Sequence, residues 1–499
     1  MNRLAVINVV GLTEALIGEH TPHIAAFRQR GVLAQIAPAF PAVTCTAQSN
    51  YLTGKFPREH GVVGNGWFNR ELAEVQFWKQ SNRIVHGPKI WNALRAGIPD
   101  PRPQIPDAFT SANLFWWFNL YSSVDYSITP RPMYPADGRK CFDVYSWPYS
   151  VREEIKKDLG EFPFFSFWGP AAGVDSPQGN ADAASRWIAE SAKWIENKYS
   201  PTLNLIYLPH LDYNLQRHGP FSVAADVSRL ISEKGRQLDP AHAGCYELNP
   251  QIHRDLHEID AIVGDLLDFF GRRGVQVVLL SEYGITNVDT PIHLNRIFRE
   301  HGWLTVKDEL GLEILDAGAS RVFAVADHQV AHIYLNDLSL EKSVRAVLEK
   351  TAGVEKVLGQ AGKSAAGIDH PRAGDLIAVA QENAWFTYYY WLDDARAPDF
   401  ARTVDIHRKP GYDPVELFLD PNISAVKLKI AWRLLQKKLG FRILMDVIPL
   451  DATLVKGSHG RRPVDKKDWP VFITSQPEFL SAKEVESTDV FQLLLKQIL

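Results

Sequence analysis

Residues 40–67 read FPAVTCTAQSNYLTGKFPREHGVVGNGW. Thr44 stands ahead of a short helix-like stretch that runs into Leu52-Thr53-Gly54. Pro57, His60-Gly61-Val62 and Gly64-Asn65-Gly66 follow. A hydroxyl at a helix start lies where unpaired backbone N–H groups and the helix dipole favour negative charge. The same hydroxyl becomes a nucleophile when a neighbour activates it. A plainer reading makes Thr44 an N-cap and the glycines turns. The spacing of the whole run favours a site.

Outward from this stretch, Leu4 to Val10 is a strand candidate, and Leu203 to Leu208 and Val275 to Leu280 are apolar runs bounded by polar segments. Such runs suit central strands of a parallel sheet covered on both faces. A long amphipathic stretch from His253 to Phe270 precedes the third run, so strand, helix and strand alternate as in a doubly wound α/β sheet. Thr21-Pro22 marks a helix start between the first run and the Thr44 segment. Ligands in such sheets bind beyond the carboxyl ends of the strands. The loops after Gly11, around Asp212 and after Ser281 fall there. The reading expects a core over residues 1–290, an aromatic-rich insertion over about 112–148, a smaller α+β cap over 291–450, and a return to the core over 451–499.

Bulk properties narrow the function classes. A 45% hydrophobic chain with 22% charged residues has ordinary globular composition, which argues against disorder. The formal net charge of −4 and the lack of a basic block give no reason to expect a nucleic-acid polymer as partner. The three cysteines, Cys45, Cys141 and Cys245, are far apart and odd in number, so neither a disulfide framework nor a thiolate zinc site is expected. The N-terminal apolar run is short and broken by Asn8, which makes a first strand the better reading than a leader. No window approaches the ~18 apolar residues of a membrane span, and a cytoplasmic protein without a membrane partner is expected.

The Phe40–Trp67 segment resembles the nucleophile region of the nucleotide pyrophosphatase and type I phosphodiesterase branch of the alkaline phosphatase superfamily. That pattern runs FP, Thr, a short helix, TG, P and HGI. The resemblance implies an alkaline-phosphatase-like α/β fold, Thr44 as nucleophile, and Asn65 holding a non-bridging phosphoryl oxygen. It also implies two metal ions held by carboxylates and imidazoles, which clamp the attacking and leaving oxygens. The first ligand position falls on Val10, which cannot ligate. In LPHLDYNLQRHGP, Asp212 matches, but Gln216 stands where the pattern has His, with His210 and His218 flanking. In LLSEYGIT, Glu282-Tyr283 replaces Asp-His. In KGSHGRRP, His459 lands on the last ligand position. A phenol with an ordinary pKa near 10 is a poor ligand but a usable acid/base or hydrogen-bonding group.

The site expected from the sequence therefore has Thr44, Asn65 and Tyr283 as catalytic groups, with Asp212, Gln216, Glu282 and His459 as metal donors. One divalent ion, zinc or manganese, is expected, and the second metal position is lost. Arg131 and Lys140, with Arg139 beside an aromatic patch, are expected to bind substrate; the His407 to Pro414 loop is another candidate substrate loop, and Arg131, Lys140 or Arg408 could replace the missing cation electrostatically. The substrate class is a small phosphoric diester or phosphonate, ring-bearing or apolar. A homo-oligomer is compatible with the sequence. Asp327-His328 superficially repeats the missing Asp-His pair, whereas His253 and His257 read as a solvated helix face. Two other readings stay open: acid/base chemistry of another type by Glu, Tyr and His in an aromatic pocket, and a non-catalytic ligand-binding relative.

Overall fold

The computed structural model describes residues 1–96, 109–177, 179–223 and 246–499. In chain order the elements used below are β1 (Leu4–Val9), β2 (Val32–Ala37), α1 (Thr44–Thr53), β3 (Ser111–Leu114), β4 (Tyr126–Pro130), β5 (Val144–Trp147) and α2 (Ala183–Tyr199). They continue with β6 (Leu203–Leu208), α3 (His210–His218), α4 (His253–Gly271) and β7 (Gln276–Leu280). The remainder are β8 (Val322–Asp327), β9 (Val330–Leu335), β10 (Val354–Leu358), β11 (Leu376–Ala380), α5 (Val426–Lys438), β12 (Val471–Thr474) and β13 (Glu484–Glu486).

The apolar runs at 4–9, 203–208 and 276–280 lie side by side as parallel strands. Leu4 pairs with Leu203 on one flank and with Gln276 on the other. They form the centre of a nine-stranded, mostly parallel sheet in the order β13-β2-β12-β7-β1-β6-β3-β4-β5. Every residue of β1 and β6 is buried, as strands covered on both faces require. Helices α2 and α4 pack on the sheet with Trp187, Ile188, Ile195, Leu256, Ile259, Val263 and Leu266 in one hydrophobic core.

The stretch 112–148, expected as an insertion, supplies β3, β4 and β5 at one edge of this sheet. Short strands broken by proline and aromatic loops hid its periodicity. Residues 322–380 build a second, four-stranded antiparallel sheet in the order β8-β9-β11-β10, with its own core around Phe323, Tyr334, Trp385 and Tyr388. The chain then returns to the main sheet through β12 and β13. No helix among the described residues is long and apolar enough to cross a membrane. Cys45 and Cys141 are free thiols.

Candidate functional site

Thr44 is the first residue of α1, after an extended Val43, and the whole helix is buried. Gly54, at φ 66°, closes it in the left-handed conformation that a side chain would strain. The other site segments leave the carboxyl ends of neighbouring strands: Val10 after β1, α3 after β6, Glu282-Tyr283 after β7. The Ser458-His459-Gly460 loop is pinned by Ala42 N–H donating to the Gly460 carbonyl (2.8 Å) and Gln329 N–H donating to that of His459 (2.8 Å). The topology thus gathers the segments that the sequence singled out.

The hydroxyl of Thr44 lies 3.3 Å from the Tyr283 phenol. Tyr283 in turn donates to Asp212 Oδ1 at 3.1 Å. Gln216, one helical turn beyond Asp212, donates to Oδ2 at 2.7 Å. The Tyr283 ring lies flat on the His459 imidazole, with centroids 3.7 Å apart and planes 4° apart. His459 Nδ1 sits 2.8 Å from the Ala42 carbonyl, so that nitrogen carries the hydrogen and Nε2 keeps its lone pair.

Glu282 turns to the other side of the strand end. Its Oε1 accepts from Asn8 Nδ2 at 2.6 Å and from Gln48, whose own Oε1 accepts from Trp117 N–H. Val10 is fully buried in the core, its N–H donating to the Leu208 carbonyl. Two neutral amides and the Thr44 hydroxyl therefore face Glu282, and its Oε2 is buried without a partner.

Burial raises the pKa of each acid in the site. Asp212 rises to about 7, with Tyr283 and Gln216 partly opposing the shift. Glu282 rises to about 8, opposed by Gln48, Asn8 and Thr44. Burial also keeps His459 neutral, lowering it to about 3, and pushes the Tyr283 phenol well above its usual range. Below about pH 7 both carboxyls thus hold their protons and His459 is neutral, which fits a dry cavity better than unpaired charges would.

Asn65 follows the Gly61 turn and lies beside the start of α1. Its Oδ1 accepts from Cys45 N–H at 3.1 Å, and one hydrogen of its amide goes to Asp327 Oδ1 at 3.1 Å. Asp327 Oδ2 also accepts from the Asn65 backbone N–H at 2.7 Å. Burial lifts the Asp327 carboxyl to about 7, against the pull of both Asn65 bonds. His328 stands between His459 and Tyr412, with ring centroids 3.7 and 4.1 Å away. The Asp-His pair at 327–328 therefore enters the site from the tight β8–β9 hairpin of the second sheet.

Above these groups lies a narrow cavity. Thr44, Asn65, Asp212, Tyr283, His328 and His459 line its polar side, and Trp78, Trp117, Phe167, Trp168, Tyr207, Tyr213 and Tyr412 its walls. Trp168 Nε1 donates to Glu416 at 2.9 Å, and a fully buried Lys409 pairs with that carboxylate at 2.7 Å and with Asp413 at 3.3 Å. The aromatic walls come from segments far apart in the chain, which is why no single motif announced them.

Arg131 and Lys140 do not line the cavity. Arg131 bonds Gln80 at 3.1 Å, and Lys140 reaches toward the Val404 carbonyl and Asp405 at 3.4 and 3.5 Å. Both belong to a group of charges, with Lys79, around His407, next to the cavity-lining Ile406. His210 leaves the site for Glu258 (3.0 Å) and Asp255 (3.8 Å). These three are the one group of three histidine, cysteine or carboxylate side chains, among the described residues, close enough to share a cation.

Solved structures share this architecture. Murine ectonucleotide pyrophosphatase/phosphodiesterase 5, in an inactive variant bound to AMP, superposes with a TM-score of 0.54 at 14% identity, over 100% of this chain and 95% of that one. Phosphonoacetate hydrolase from Sinorhizobium meliloti, bound to phosphonoformate, gives a TM-score of 0.56 at 14% identity, over 100% and 96%. In sequence, an uncharacterized pyrophosphatase/phosphodiesterase of Schizosaccharomyces pombe is 21% identical over 285 residues, which span 56% of this chain and 44% of that relative. The family model for type I phosphodiesterase/nucleotide pyrophosphatase matches residues 4–413, from the first strand of the sheet to the turn that carries Asp413 beneath the aromatic wall. With that match running through Thr44, Asp212, Glu282-Tyr283 and the second sheet, the chain belongs to the type I phosphodiesterase/nucleotide pyrophosphatase family.

Proposed function

We propose that the protein hydrolyses small phosphoric diesters or phosphonates, with the Thr44 hydroxyl as the attacking group. The observation that carries this reading is the line Thr44–Tyr283–Asp212, with steps of 3.3 and 3.1 Å. As Thr44 Oγ1 bonds to phosphorus and the leaving oxygen departs, the threonine proton passes to the Tyr283 oxygen. The phenol proton passes to Asp212, whose pKa of about 7 suits a proton acceptor near neutrality. The start of α1 favours the developing negative charge, and Asn65 offers its second amide hydrogen to a non-bridging oxygen. Water then releases the threonyl ester by the reverse proton path.

A single divalent ion, zinc or manganese, fits three donors here: Asp212, the free Nε2 of His459, and Gln216 Oε1, a buried oxygen with no hydrogen-bond partner. When bound it would neutralise phosphoryl charge. Glu282 gives Oε1 to Asn8 and Gln48, while its Oε2 is buried without a partner and is available as a further donor. The aromatic walls favour a substrate with a ring or apolar arm, and the charges at Arg131, Lys140 and Lys79 suit its anionic portion. AMP and phosphonoformate, bound by the structural relatives, are reference compounds of that kind.

The test is turnover of nitrophenyl phosphodiesters and phosphonates by Thr44→Ala, alongside elemental analysis of the wild type, Asp212→Ala and His459→Ala. The Thr44 hydroxyl bonds Tyr283 and also faces Glu282, so its removal should cost about 1 kcal/mol per bond. The variant should fold and lose turnover; near-wild-type rates would refute the nucleophile. The neutral amides of Asn8 and Gln48 on Glu282 Oε1 favour a second reading, metal-free acid/base chemistry by Tyr283 and Asp212. Full activity on a non-phosphorus substrate with no metal bound would favour that reading.

A further inference from the structure

Residues 425–445 read AVKLKIAWRLLQKKLGFRILM, with six lysines and arginines and no carboxylate in a chain whose net charge is −4. Good helix formers drive α5, and Gly440 at φ 89° follows its last turn. None of its residues is buried. Val426 and Ile430 rest partly on the core of the second sheet, and Lys429 and Arg433 pair with Asp446 at 2.9 and 3.5 Å. That seats one face of the helix.

The opposite face is apolar and open. Leu428, Trp432 and Leu435 are 73%, 58% and 46% exposed, and Leu439 and Phe441, just past the helix, are 66% and 64% exposed. The spacing 428, 432, 435, 439 places four of these in one stripe, with Lys427 and Lys438 along its flank. A patch this apolar on a monomer marks an interaction surface. Lys427, Lys438 and Arg442 have no ion pair among the described residues.

We propose that this face is a peripheral docking surface for an anionic lipid bilayer. An amphipathic helix with Trp, Leu and Phe on one side and lysines and arginines around it lies flat in the interface, its apolar stripe among the acyl chains and its cations on the headgroups. Self-pairing through this face would set Lys427, Lys438 and Arg442 against their own copies, a like-charge juxtaposition that an isologous contact disfavours. The expectation of no membrane partner rested on the lack of a spanning segment, and lying on a surface needs none. The helix is tied to the charged group beside the cavity. Lys437 donates to the Lys140 carbonyl at 3.4 Å, and Lys140 reaches Asp405, next to the cavity-lining Ile406. Docking would place that charged group near the headgroup layer.

The experiment is flotation of the full chain with vesicles of phosphatidylcholine containing one quarter phosphatidylserine, against pure phosphatidylcholine, at low and high salt. Two variants accompany it: Leu428→Ser/Trp432→Ser/Leu439→Ser, and Lys427→Glu/Lys438→Glu/Arg442→Glu. These side chains are exposed, so circular dichroism and thermal melting should match the wild type. The expected result is binding to the anionic vesicles that high salt weakens, lowered on the order of 100-fold by the charge reversals and lost with the apolar changes. No flotation with anionic vesicles at low salt overturns the proposal, as does binding that survives both variants. Self-association in sedimentation velocity that both variants abolish, without vesicle binding, assigns the face to a second copy and overturns it equally.

Discussion

Asp327→Asn tests how the buried acids couple the site to pH. Asp327 is fully buried, and its pKa moves from an ordinary 3.8 to about 7 through loss of water, with Asn65 opposing. The folded protein therefore keeps this proton up to about pH 7, while the unfolded chain releases it near 3.8. Between those values the folded state binds the extra proton, so its stability falls as pH rises, and the penalty is complete above about pH 7. A shift of about 3 pH units corresponds to roughly 4 kcal/mol. For a chain of this length, with a melting entropy of about 2 cal/mol/K per residue, that is roughly 4 °C in Tm. Asparagine at 327 cannot titrate, so the variant should lose that share of the decline between pH 4 and 8. It should also lose about 1–3 kcal/mol at every pH, because one amide oxygen replaces two carboxylate oxygens that accept from Asn65 N and Nδ2. Scanning calorimetry in chelator, from pH 4 to 8, reads both effects. Parallel Tm-versus-pH curves for variant and wild type would refute the reasoning.

Tyr283→Phe removes the hydroxyl between Thr44 and Asp212 and should lower kcat about 100-fold or more, with KM little changed; steady-state kinetics on a nitrophenyl diester decides it. Trp168→Ala takes away a cavity wall packed 5.4 Å from Tyr412, so KM for a ring-bearing substrate should rise about three- to tenfold while that for a methyl ester moves less. Lys409→Met leaves the buried carboxyls of Asp413 and Glu416 without their cation and should cost about 3–5 kcal/mol in denaturant unfolding; a loss below about 1 kcal/mol would contradict the pairing described.

Local pattern reaches a definite depth in this protein. Leu4–Val9, Leu203–Leu208 and Gln276–Leu280 were legible as central strands because a strand covered on both faces is apolar nearly throughout, here broken only by Asn8, Asn204 and Gln276, and that needs no partner to be recognised. The helix at 253–271 was legible from its period. The Thr44 run, Asp212 and the Ser-His-Gly loop stood out through their resemblance to the family's motifs.

Contacts between distant segments were not legible. That Tyr283 would link Thr44 to Asp212, that Asn8 and Gln48 would take up Glu282, and that Asp327 would brace Asn65 depend on side chains 71 to 274 positions apart. The aromatic walls, the edge strands hidden in 112–148, and the open face of α5 have the same origin. Sequence by itself determined the strands, the helix starts and the chemical types available at the loop ends, since these follow from nearest-neighbour sterics and periodicity. Only the tertiary structure decided which of those groups meet, which acids lose their water, and which apolar faces stay uncovered, because desolvation and hydrogen bonding are set by what the fold brings within a few ångströms.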